Sequence, residues 1–366
     1  MLEFDILDNE KYIYAHSSKE LINLLYEFPK QFKKAEKIIS EIDLKVREDY
    51  ENILILGAGN PSNTAFRLIK SAKENNLKVP VLICSSGDIP SWVSEKTLVI
   101  AISHSGETVE ILDAIDEVLK RNIEVIAITF GEKLRQKYGE NKKVQLIEYQ
   151  EELLPRMAVG YSYVFLVGIL SKASLLKVMG IKKDDPLGFR WDDIETVLFA
   201  YIRELMPEID INNNIAKKTA INIFKTIPVI YGSSRITDLI SYKFKTELNA
   251  ASKVFAHSNM IPDIDHDEIE IWEMDHDSRK KYMVLFISDS HSNEETLKMV
   301  EILKGIFIEK DVRFEEIIFD DENDVVRAFK GIFLASWVSI YLAVLNNVNP
   351  VEIKLVDTIK KRLKET

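Results

Sequence analysis

The chain of 366 residues is long enough for two domains of ordinary size, and its composition of 46% hydrophobic and 29% charged residues is typical of a globular protein. A formal net charge of −11 excludes an extended binding surface for DNA or RNA, although a local loop can still hold a small anion. The single cysteine, Cys84, excludes an internal disulfide and a cysteine-built metal site, as expected in a reducing compartment.

The N-terminal sequence MLEFDILDNE is acidic and lacks the apolar core of a signal peptide. We also expect no apolar run long enough to cross a membrane. These features predict a soluble cytoplasmic protein that binds neither nucleic acid nor a membrane.

The first half of the chain alternates between helical and strand patterns. Apolar residues at helical spacing predict an N-terminal helical segment, 1–45. An apolar run at 52–56 then leads through a glycine loop into a helix, and the same unit returns from 98–102. Further strands are expected at 79–83, 125–129 and 144–147. Alternating strands and helices of this kind predict a parallel sheet.

Two helical stretches, 156–179 and 191–205, precede a second half that is similar to the first. The run 228–231 mirrors the first strand, and VLFISDSHSNEETLKMV from Val284 mirrors VIAISHSGETVEILDAI from Val99. The predicted fold class is therefore α/β, with two doubly wound parallel-sheet domains and flanking helices. We expect these domains at 46–185 and 216–366, with a helical connection at 186–215.

A loop of small hydroxyl residues, SHSGET at 103–108, lies between a predicted buried strand and a helix. Ser103, Ser105 and Thr108 offer hydroxyl groups, and the helix that follows offers free backbone N–H groups and the positive end of its dipole. The loop is therefore a candidate anion site. The alternative is that Ser105 or Thr108 only caps the helix.

The loop after the first strand, GAGNPS at 57–62, is only partly similar to a dinucleotide-binding fingerprint. The third glycine of that motif is missing, and no acidic residue follows the second strand. We interpret Gly57, Gly59 and Ser62 as lining one side of a small pocket. The alternative is a plain β–α turn.

The segment DIPSWVSEKTLVIAISHSGETVEIL, 88–112, resembles a stretch of the bifunctional phosphoglucose/phosphomannose isomerases, which carry a Ser-x-Ser-Gly-x-Thr phosphate loop. Further motifs of that family follow in order over nearly the whole chain: Pro155-Arg156, NIAK at 214–217, PVIYG at 228–232, Asn249 and Lys253, PDIDH at 262–266, WVSIYLA at 337–343, Asn349-Pro350 and Ile359-Lys360. The resemblance implies two tandem sugar isomerase (SIS) domains.

The resemblance also implies a role for each matched site residue. The loop 103–108 is expected to hold the sugar phosphate, and Arg156 to stabilise the charge of an enediol. His266 is expected to open the sugar ring, and Lys360 to lie near the sugar. The alternatives are a surface ion pair for Arg156, a plain acidic loop around His266 and a solvated basic run for Lys360.

The family pattern breaks at one catalytic position. Isomerisation needs a base that moves a proton between C1 and C2, and the family glutamate with this role is replaced here by Ala250. Glu247 is one hypothesis for a displaced base, because residues three apart share a helix face. Asp267 and Glu268 are further carboxylates close to the histidine.

Two alternatives for Glu247 remain open at this stage. The chain has no base at all, or Glu247 is a solvated helix acid that pairs with Lys243 or Lys245.

The resemblance implies an isomerase that interconverts glucose 6-phosphate or mannose 6-phosphate with fructose 6-phosphate through a cis-enediol. It implies no metal and no organic cofactor, and a homodimer in which His266 acts in its own or the partner's site. Replacement of the base at Ala250 is also compatible with a sugar-phosphate-binding sensor, or with an isomerase for another phosphosugar, such as an amino or acylated hexose.

Overall fold

The computed structural model of the chain describes residues 4–17, 19–73, 77–151, 153–176 and 190–365, and of residues 60, 61, 72, 73 and 363–365 only the backbone. The chain divides into two compact units, one of residues 27–196 and one of residues 1–26 with 197–366. The predicted N-terminal segment 1–45 and the predicted connection 186–215 are therefore each divided between the two units.

The helices are numbered in chain order as α1 (Glu10–Ser17), α2 (Lys19–Glu27), α3 (Lys30–Glu41), α4 (Asn60–Lys73), α5 (Val109–Lys120), α6 (Glu132–Tyr138), α7 (Val159–Lys172), α8 (Trp191–Leu205), α9 (Ile215–Ile223), α10 (Arg235–Ala250), α11 (His276–Arg279), α12 (Glu294–Glu309), α13 (Asp324–Leu345) and α14 (Lys354–Glu365). The strands are β1 (Asn52–Gly57), β2 (Val81–Cys84), β3 (Thr97–Ser103), β4 (Val125–Thr129), β5 (Val144–Glu148), β6 (Ile227–Gly232), β7 (His257–Met260), β8 (Tyr282–Asp289) and β9 (Phe314–Phe319). Short 3-10 turns occur at Asp5–Asp8, Pro155–Met157, Asp263–His266 and Glu268–Glu273.

The first sheet is parallel throughout, in the order β2-β1-β3-β4-β5. Strands β3 and β4 are buried along their whole length, which explains why they read as unbroken apolar runs rather than as alternating patterns. On one side of the sheet, α5 turns its apolar stripe into the core with Ile111, Ala114, Ile115 and Val118. The predicted parallel sheet is confirmed for this unit.

The second sheet is also parallel, in the order β7-β6-β8-β9. Gly232 on β6 pairs in register with Ile287 on β8, as Gly57 on β1 pairs with Ile102 on β3. This matching register confirms the internal similarity inferred from the sequence. The predicted fold class, two parallel sheets with flanking helices, is therefore correct.

Most predicted strand bounds differ from the observed ones by one residue, and larger differences occur at two places. The strand expected at 79–83 begins later, as β2, and the helix expected at 156–179 starts with a 3-10 turn before continuing as α7. The part of that prediction at 177–179 lies outside the described residues.

Helix α13 is long and apolar enough to cross a membrane, with a mean hydropathy of 1.8 over its most apolar window. The expectation that no such run exists was wrong, because residues 331–351 carry no charged side chain. In the structure 89% of that window is buried inside the protein, and the helix packs against α9 and α10. In the folded chain α13 is therefore a core helix.

The close approach of α13 to α10 depends on Gly331. A Cβ atom at this position would lie 2.4 Å from two side-chain carbons of Ile240 on α10. In contrast, a Cβ atom at Gly305 on α12 would meet nothing within 4 Å. The two glycines therefore form a matched pair, one in a tight helix contact and one in open space.

We expect Gly331→Ala to lower the free energy of unfolding by about 1–3 kcal/mol, because the added methyl group overpacks the contact between the helices. Gly305→Ala is the control and should raise the free energy of unfolding by about 0.5–1 kcal/mol through its helix propensity. Urea unfolding of both variants checks this prediction. Equal effects of the two substitutions would contradict it.

Candidate functional site

The loop 103–108 lies at the carboxyl end of the first sheet, between β3 and α5. Ser103 ends the strand and is only 3% exposed, whereas Ser105 at the tip of the loop is exposed. The hydroxyl of Ser103 donates a hydrogen bond to Oγ1 of Thr108 at 3.2 Å, which holds two of the three predicted hydroxyl groups together. The third, Ser105 Oγ, accepts the backbone N–H of Glu107 at 3.3 Å.

Thr108 is the N-cap residue of α5, but its side chain makes no capping hydrogen bond to any described residue. The structure therefore contradicts the alternative that Thr108 only caps the helix. The equivalent helix of the second unit differs, because at its start Asn293 accepts the N–H of Thr296 at 2.8 Å. The positive end of α5 is thus open to an anion in a way that the start of α12 is not.

The shape of this loop is fixed by the turn that follows β4. The backbone N–H groups of Phe130 and Gly131 donate to the carbonyl of His104, at 3.1 and 3.0 Å. A Cβ atom at Gly131 would lie 1.8 Å from the carbonyl oxygen of Ser105, and Gly106 has a φ of +68°. Glycine is therefore required at 131 for the close approach and favoured at 106 for the backbone conformation.

His104 links the loop to the chain before α7, a connection that sequence reasoning missed. Its ring Nε2–H donates to the carbonyl of Leu153 at 3.0 Å, so Nδ1 accepts the hydroxyl of Tyr149 at 2.6 Å. Burial lowers the pKa of His104, and the ring stacks on Phe130. The ring of His104 thus connects the loop to the segment 149–153. The 3-10 turn that contains Arg156 begins two residues after this segment.

Arg156 is half-buried in its 3-10 turn and belongs to the same compact unit as the loop. The hydrogen bond from His104 to Leu153 anchors the loop at a point three residues before this arginine. Arg156 remains the predicted stabiliser of negative charge near the sugar.

Three residues of the loop 57–62, Gly57, Gly59 and Ser62, were predicted to line a small pocket, and their environments differ. Gly59 has a φ of +80°, and a Cβ atom there would meet no atom of the described residues within 4 Å, so its backbone is open to close approach. Ser62 is 1% exposed, packs on Gly57 and donates to the carbonyl of Gly59 at 3.4 Å. These contacts favour the plain β–α turn for Ser62, because its hydroxyl is turned inward.

Glu247 lies in the interior of the other unit, on the buried face of α10. Its carboxylate pairs with Nζ of Lys243 at 2.6 Å, and each side chain is 1% exposed. The predicted pairing with Lys243 is therefore correct, but the expectation of a solvated acid was wrong. Lys245 lies instead over the ring of Tyr242.

His266 ends a 3-10 turn and is exposed. Two residues later, the Glu268 carboxylate accepts hydrogen bonds from the Tyr231 hydroxyl, the His257 ring and the Asn259 amide, at 2.8, 3.0 and 2.7 Å. Burial and this carboxylate raise the pKa of Tyr231. Glu268 is therefore held as an acceptor within a hydrogen-bonded cluster.

Asp265, the residue before His266, was interpreted from the sequence only as part of a plain acidic loop. Burial raises the pKa of its carboxyl group, and both of its oxygens are buried without a hydrogen bond to any described residue. A raised pKa is common among functional acids. Asp267, by contrast, is exposed and accepts the N–H of Glu268.

Lys360 is exposed on α14. It belongs to the same compact unit as Glu247 and His266, whereas the loop 103–108 and Arg156 belong to the other unit. The structure thus contains two groups of predicted site residues, each within one unit.

The chain matches two family models and several named proteins. Residues 212–363 match the bacterial phospho-glucose isomerase C-terminal SIS domain, and residues 87–134 match the SIS domain. The bifunctional phosphoglucose/phosphomannose isomerase of Thermoplasma volcanium is 30% identical over 317 residues, 86% of this chain and 92% of that protein. The enzyme of the same name from Caldicellulosiruptor bescii is 28% identical over 93% of this chain and 98% of its own length.

The chain belongs to the bifunctional phosphoglucose/phosphomannose isomerase family. Among solved structures, a hypothetical protein from Thermus thermophilus has the same fold, with a TM-score of 0.71 at 13% identity over 97% of this chain and 94% of that one.

In the second SIS half, the end of the central strand β8 carries a buried acidic residue with several polar contacts. Asp289, equivalent to His104 in the internal alignment, is 3% exposed at the end of β8. It accepts the Ser234 hydroxyl at 3.0 Å and the N–H of His291 at 3.0 Å, and lies 3.4 Å from Nε of buried Arg327. A buried carboxylate thus stands in the second half where the first half has His104.

Asp289→Ala should lower the free energy of unfolding by about 3 kcal/mol, because it leaves Arg327 buried with less compensating charge. Asp320→Ala, at an exposed position beyond the end of β9, is the control and should change it by less than about 0.5 kcal/mol. Chemical denaturation distinguishes the two, and a negligible effect of Asp289→Ala would show that the pair is not needed for stability.

Proposed function

We propose that this protein is an aldose–ketose isomerase that interconverts glucose 6-phosphate or mannose 6-phosphate with fructose 6-phosphate. The observation that carries the proposal is the uncapped start of α5, where Thr108 makes no capping bond and the hydroxyls of Ser103 and Ser105 are close by in the loop. Related isomerases that align over most of the chain support the same reaction class.

In the proposed mechanism the sugar phosphate accepts hydrogen bonds from the loop hydroxyls and the first N–H groups of α5, and the helix dipole favours its charge. His266 opens the ring, and Arg156 stabilises the negative charge that develops on the enediol oxygen. Lys360 contributes a second positive charge near the sugar.

Proton transfer between C1 and C2 is the weak step of this mechanism. Ala250 has no group that accepts a proton, and Glu247 is buried in its pair with Lys243. We therefore propose that turnover is slow in this chain, since a positioned base usually contributes about 10²–10⁴-fold.

We also propose a cytoplasmic homodimer with SIS domains at 46–185 and 216–366, as the family resemblance implies. The protein then acts on small sugar phosphates and needs neither a metal ion nor an organic cofactor.

Replacing Ser105 and Thr108 together by alanine should weaken binding of fructose 6-phosphate by at least about 2 kcal/mol, since each charge-assisted hydrogen bond contributes about 1.5–3 kcal/mol. Titration calorimetry measures this change.

The control for this variant is Ser290→Ala with Asn293→Ala, the equivalent positions of the second half. The control should lower stability by about 1 kcal/mol through loss of the α12 cap, with no change in sugar phosphate binding. Equal affinity of the wild type and the Ser105/Thr108 variant would refute the phosphate site.

Ala250→Glu should raise the isomerase kcat by about 10²-fold or more, because it supplies a carboxylate at the family position of the base. Coupled assays with glucose, mannose and fructose 6-phosphates measure the gain. The matched variant is Lys243→Met with Glu247→Leu, which removes the buried carboxylate without leaving a lone charge and is expected to fold.

We expect that matched variant to keep the wild-type rate. Loss of turnover in it, with binding intact, would identify Glu247 as the displaced base. A wild type that binds the sugar phosphates but does not isomerise them, even with Ala250→Glu, would support the sensor function in place of the isomerase. A fast wild type that is unaffected by loss of Glu247 would direct the search for the base to Asp265.

A further inference from the structure

Arg156 lies between two backbone carbonyl groups that are held by side chains from other parts of the same unit. Three residues before it, the carbonyl of Leu153 accepts the ring Nε2–H of His104 at 3.0 Å. One residue after it, the carbonyl of Met157 accepts the side-chain amide of Gln31 at 2.8 Å. Leu153 and Met157 are both buried, so each hydrogen bond joins the interior of the unit to the turn that carries the arginine.

The chain between these two carbonyl groups is stiff. The ring of Pro155 restricts its φ, and the residue before a proline is confined to extended backbone, as Leu154 is with a φ of −61° and a ψ of 135°. The N–H of Met157 then donates to the carbonyl of Leu154 at 2.8 Å and closes the 3-10 turn. The backbone of Arg156 therefore has little freedom as long as both carbonyl groups stay in place.

His104 connects the first of these carbonyl groups to the loop 103–108. Its own carbonyl accepts two N–H groups of the turn after β4, which fix the path of the loop. Its ring stacks on Phe130, with 5.3 Å between the ring centroids and 11° between the ring planes. Since the backbone of His104 belongs to the loop and its ring holds Leu153, one residue relates the position of the loop to that of the segment before the arginine.

Tyr149 determines which nitrogen of the His104 ring carries the hydrogen. The tyrosine hydroxyl donates to Nδ1 at 2.6 Å, which leaves the hydrogen on Nε2, where the carbonyl of Leu153 accepts it. Tyr149 is buried, and its ring stacks on Tyr161 of α7 at 4.5 Å. Burial also raises the pKa of Tyr149, so its hydroxyl remains a donor at neutral pH. The hydroxyl therefore supports the bond between His104 and Leu153.

Gln31 on α3 holds the second carbonyl group. It is buried, and its amide oxygen accepts the N–H of Tyr161 at 3.4 Å while its amide nitrogen donates to Met157. These two bonds fix the direction in which the amide group faces. Tyr161 thus contacts both supports of the turn, Tyr149 through its ring and Gln31 through its backbone.

We propose that His104, Tyr149 and Gln31 are positioning residues that hold Arg156 in one place relative to the loop 103–108. A sugar phosphate bound at the loop then meets an arginine that is already ordered, so no binding energy is lost in ordering it. The use of this arginine at the enediol rests on the proposed function. Its fixed position is a property of the unliganded protein and is measured without any substrate.

Three variants test these supports. Tyr149→Phe removes only the hydroxyl group and keeps the stacked ring. The matched control is Tyr138→Phe in the same unit, because both tyrosines are 3% exposed and the hydroxyl of Tyr138 donates to Asp116 at 2.8 Å. Gln31→Met replaces the amide by a thioether of similar size. Each variant loses a buried hydrogen bond, but we expect only Tyr149→Phe and Gln31→Met to loosen Arg156.

NMR relaxation measures the order of Arg156 directly, through its backbone N–H and side-chain Nε–H signals, which Arg156→Lys assigns. We expect a backbone order parameter of about 0.85 in the wild type and in Tyr138→Phe, and a fall towards about 0.6 in Tyr149→Phe and in Gln31→Met. Signals that stay as ordered in both of these variants as in the wild type would overturn the proposal.

The 15N chemical shifts of the His104 ring give a second signature. In the wild type and in Gln31→Met we expect a neutral ring with its hydrogen on Nε2 and a hydrogen-bonded Nδ1. In Tyr149→Phe the Nδ1 signal should move to the value of a nitrogen without a hydrogen bond. A wild-type ring with its hydrogen on Nδ1 would refute the role of Tyr149.

Calorimetry with two anions distinguishes support of the loop from support of Arg156. Inorganic phosphate fills only the phosphate site, whereas 5-phosphoarabinonate adds a carboxylate where the enediol charge would develop. Tyr149→Phe should weaken binding of 5-phosphoarabinonate by about 10-fold, the effect of one lost hydrogen bond. It should weaken binding of inorganic phosphate by less than about 2-fold, because the loop keeps its own bonds to the turn after β4. An equal loss for both anions would show that the tyrosine supports the loop alone, and would overturn the proposal.

The isomerase assay separates this proposal from the proposed function. In an active wild type, Tyr149→Phe should lower kcat by about 10-fold and change KM by less than about 3-fold. An active enzyme whose kcat and Arg156 signals are both unaffected by Tyr149→Phe would refute the positioning and leave the isomerase intact. A loosened Arg156 in a protein that binds sugar phosphates but never isomerises them would retain the positioning and refute the isomerase.

Discussion

The placement of β3 is the constraint on which the first unit depends. The strand is buried along its whole length and is paired in register with β1 on one side and β4 on the other. This pairing fixes where β3 ends, at the carboxyl end of the sheet. There Ser103 ends the strand, and five residues later Thr108 precedes α5 as its N-cap residue without a capping hydrogen bond from its side chain. The hydrogen bonds to His104 from the turn after β4 fix the path between them. A slip of one residue in β3 would turn Ser103 to the other face and remove the site.

The two halves share a backbone arrangement and differ in the side chains at its functional edge. Both have a central strand that leads into a helix, with the same register against the neighbouring strand. In the second half the helix is capped by Asn293, and Asp289 lies beside Arg327. A buried carboxylate would repel a phosphate that approached the same position. Local side-chain chemistry, and not the fold, therefore decides which half leaves the start of its helix without a side-chain cap.

The sequence alone predicted those features that depend on the spacing of residues close together in the chain. Strand β3, the hydroxyl loop at its end and the duplicated unit were all predicted, because buried parallel strands and strand–loop–helix transitions leave a local pattern. The bonds of His104 to Tyr149 and Leu153 were not predictable, since they join positions 45 and 49 residues apart. The pairing of Glu247 with Lys243 was visible as helical spacing, whereas its burial depends on the packing of α13, which no local pattern reveals.

The geometry of α10 explains why a carboxylate at position 247 is a poor substitute for one at position 250. Ile236, Ile240, Lys243 and Glu247 follow one another at steps of four, three and four residues, which keeps them on the buried face. Position 250 is the last residue of the helix and is half-buried at its edge. Moving the acid one turn back therefore transfers it from the rim of the helix into the core, where an ionised group needs a partner. Lys243 is that partner, and the pair holds the carboxylate of Glu247 in the core, away from the helix end at which position 250 lies.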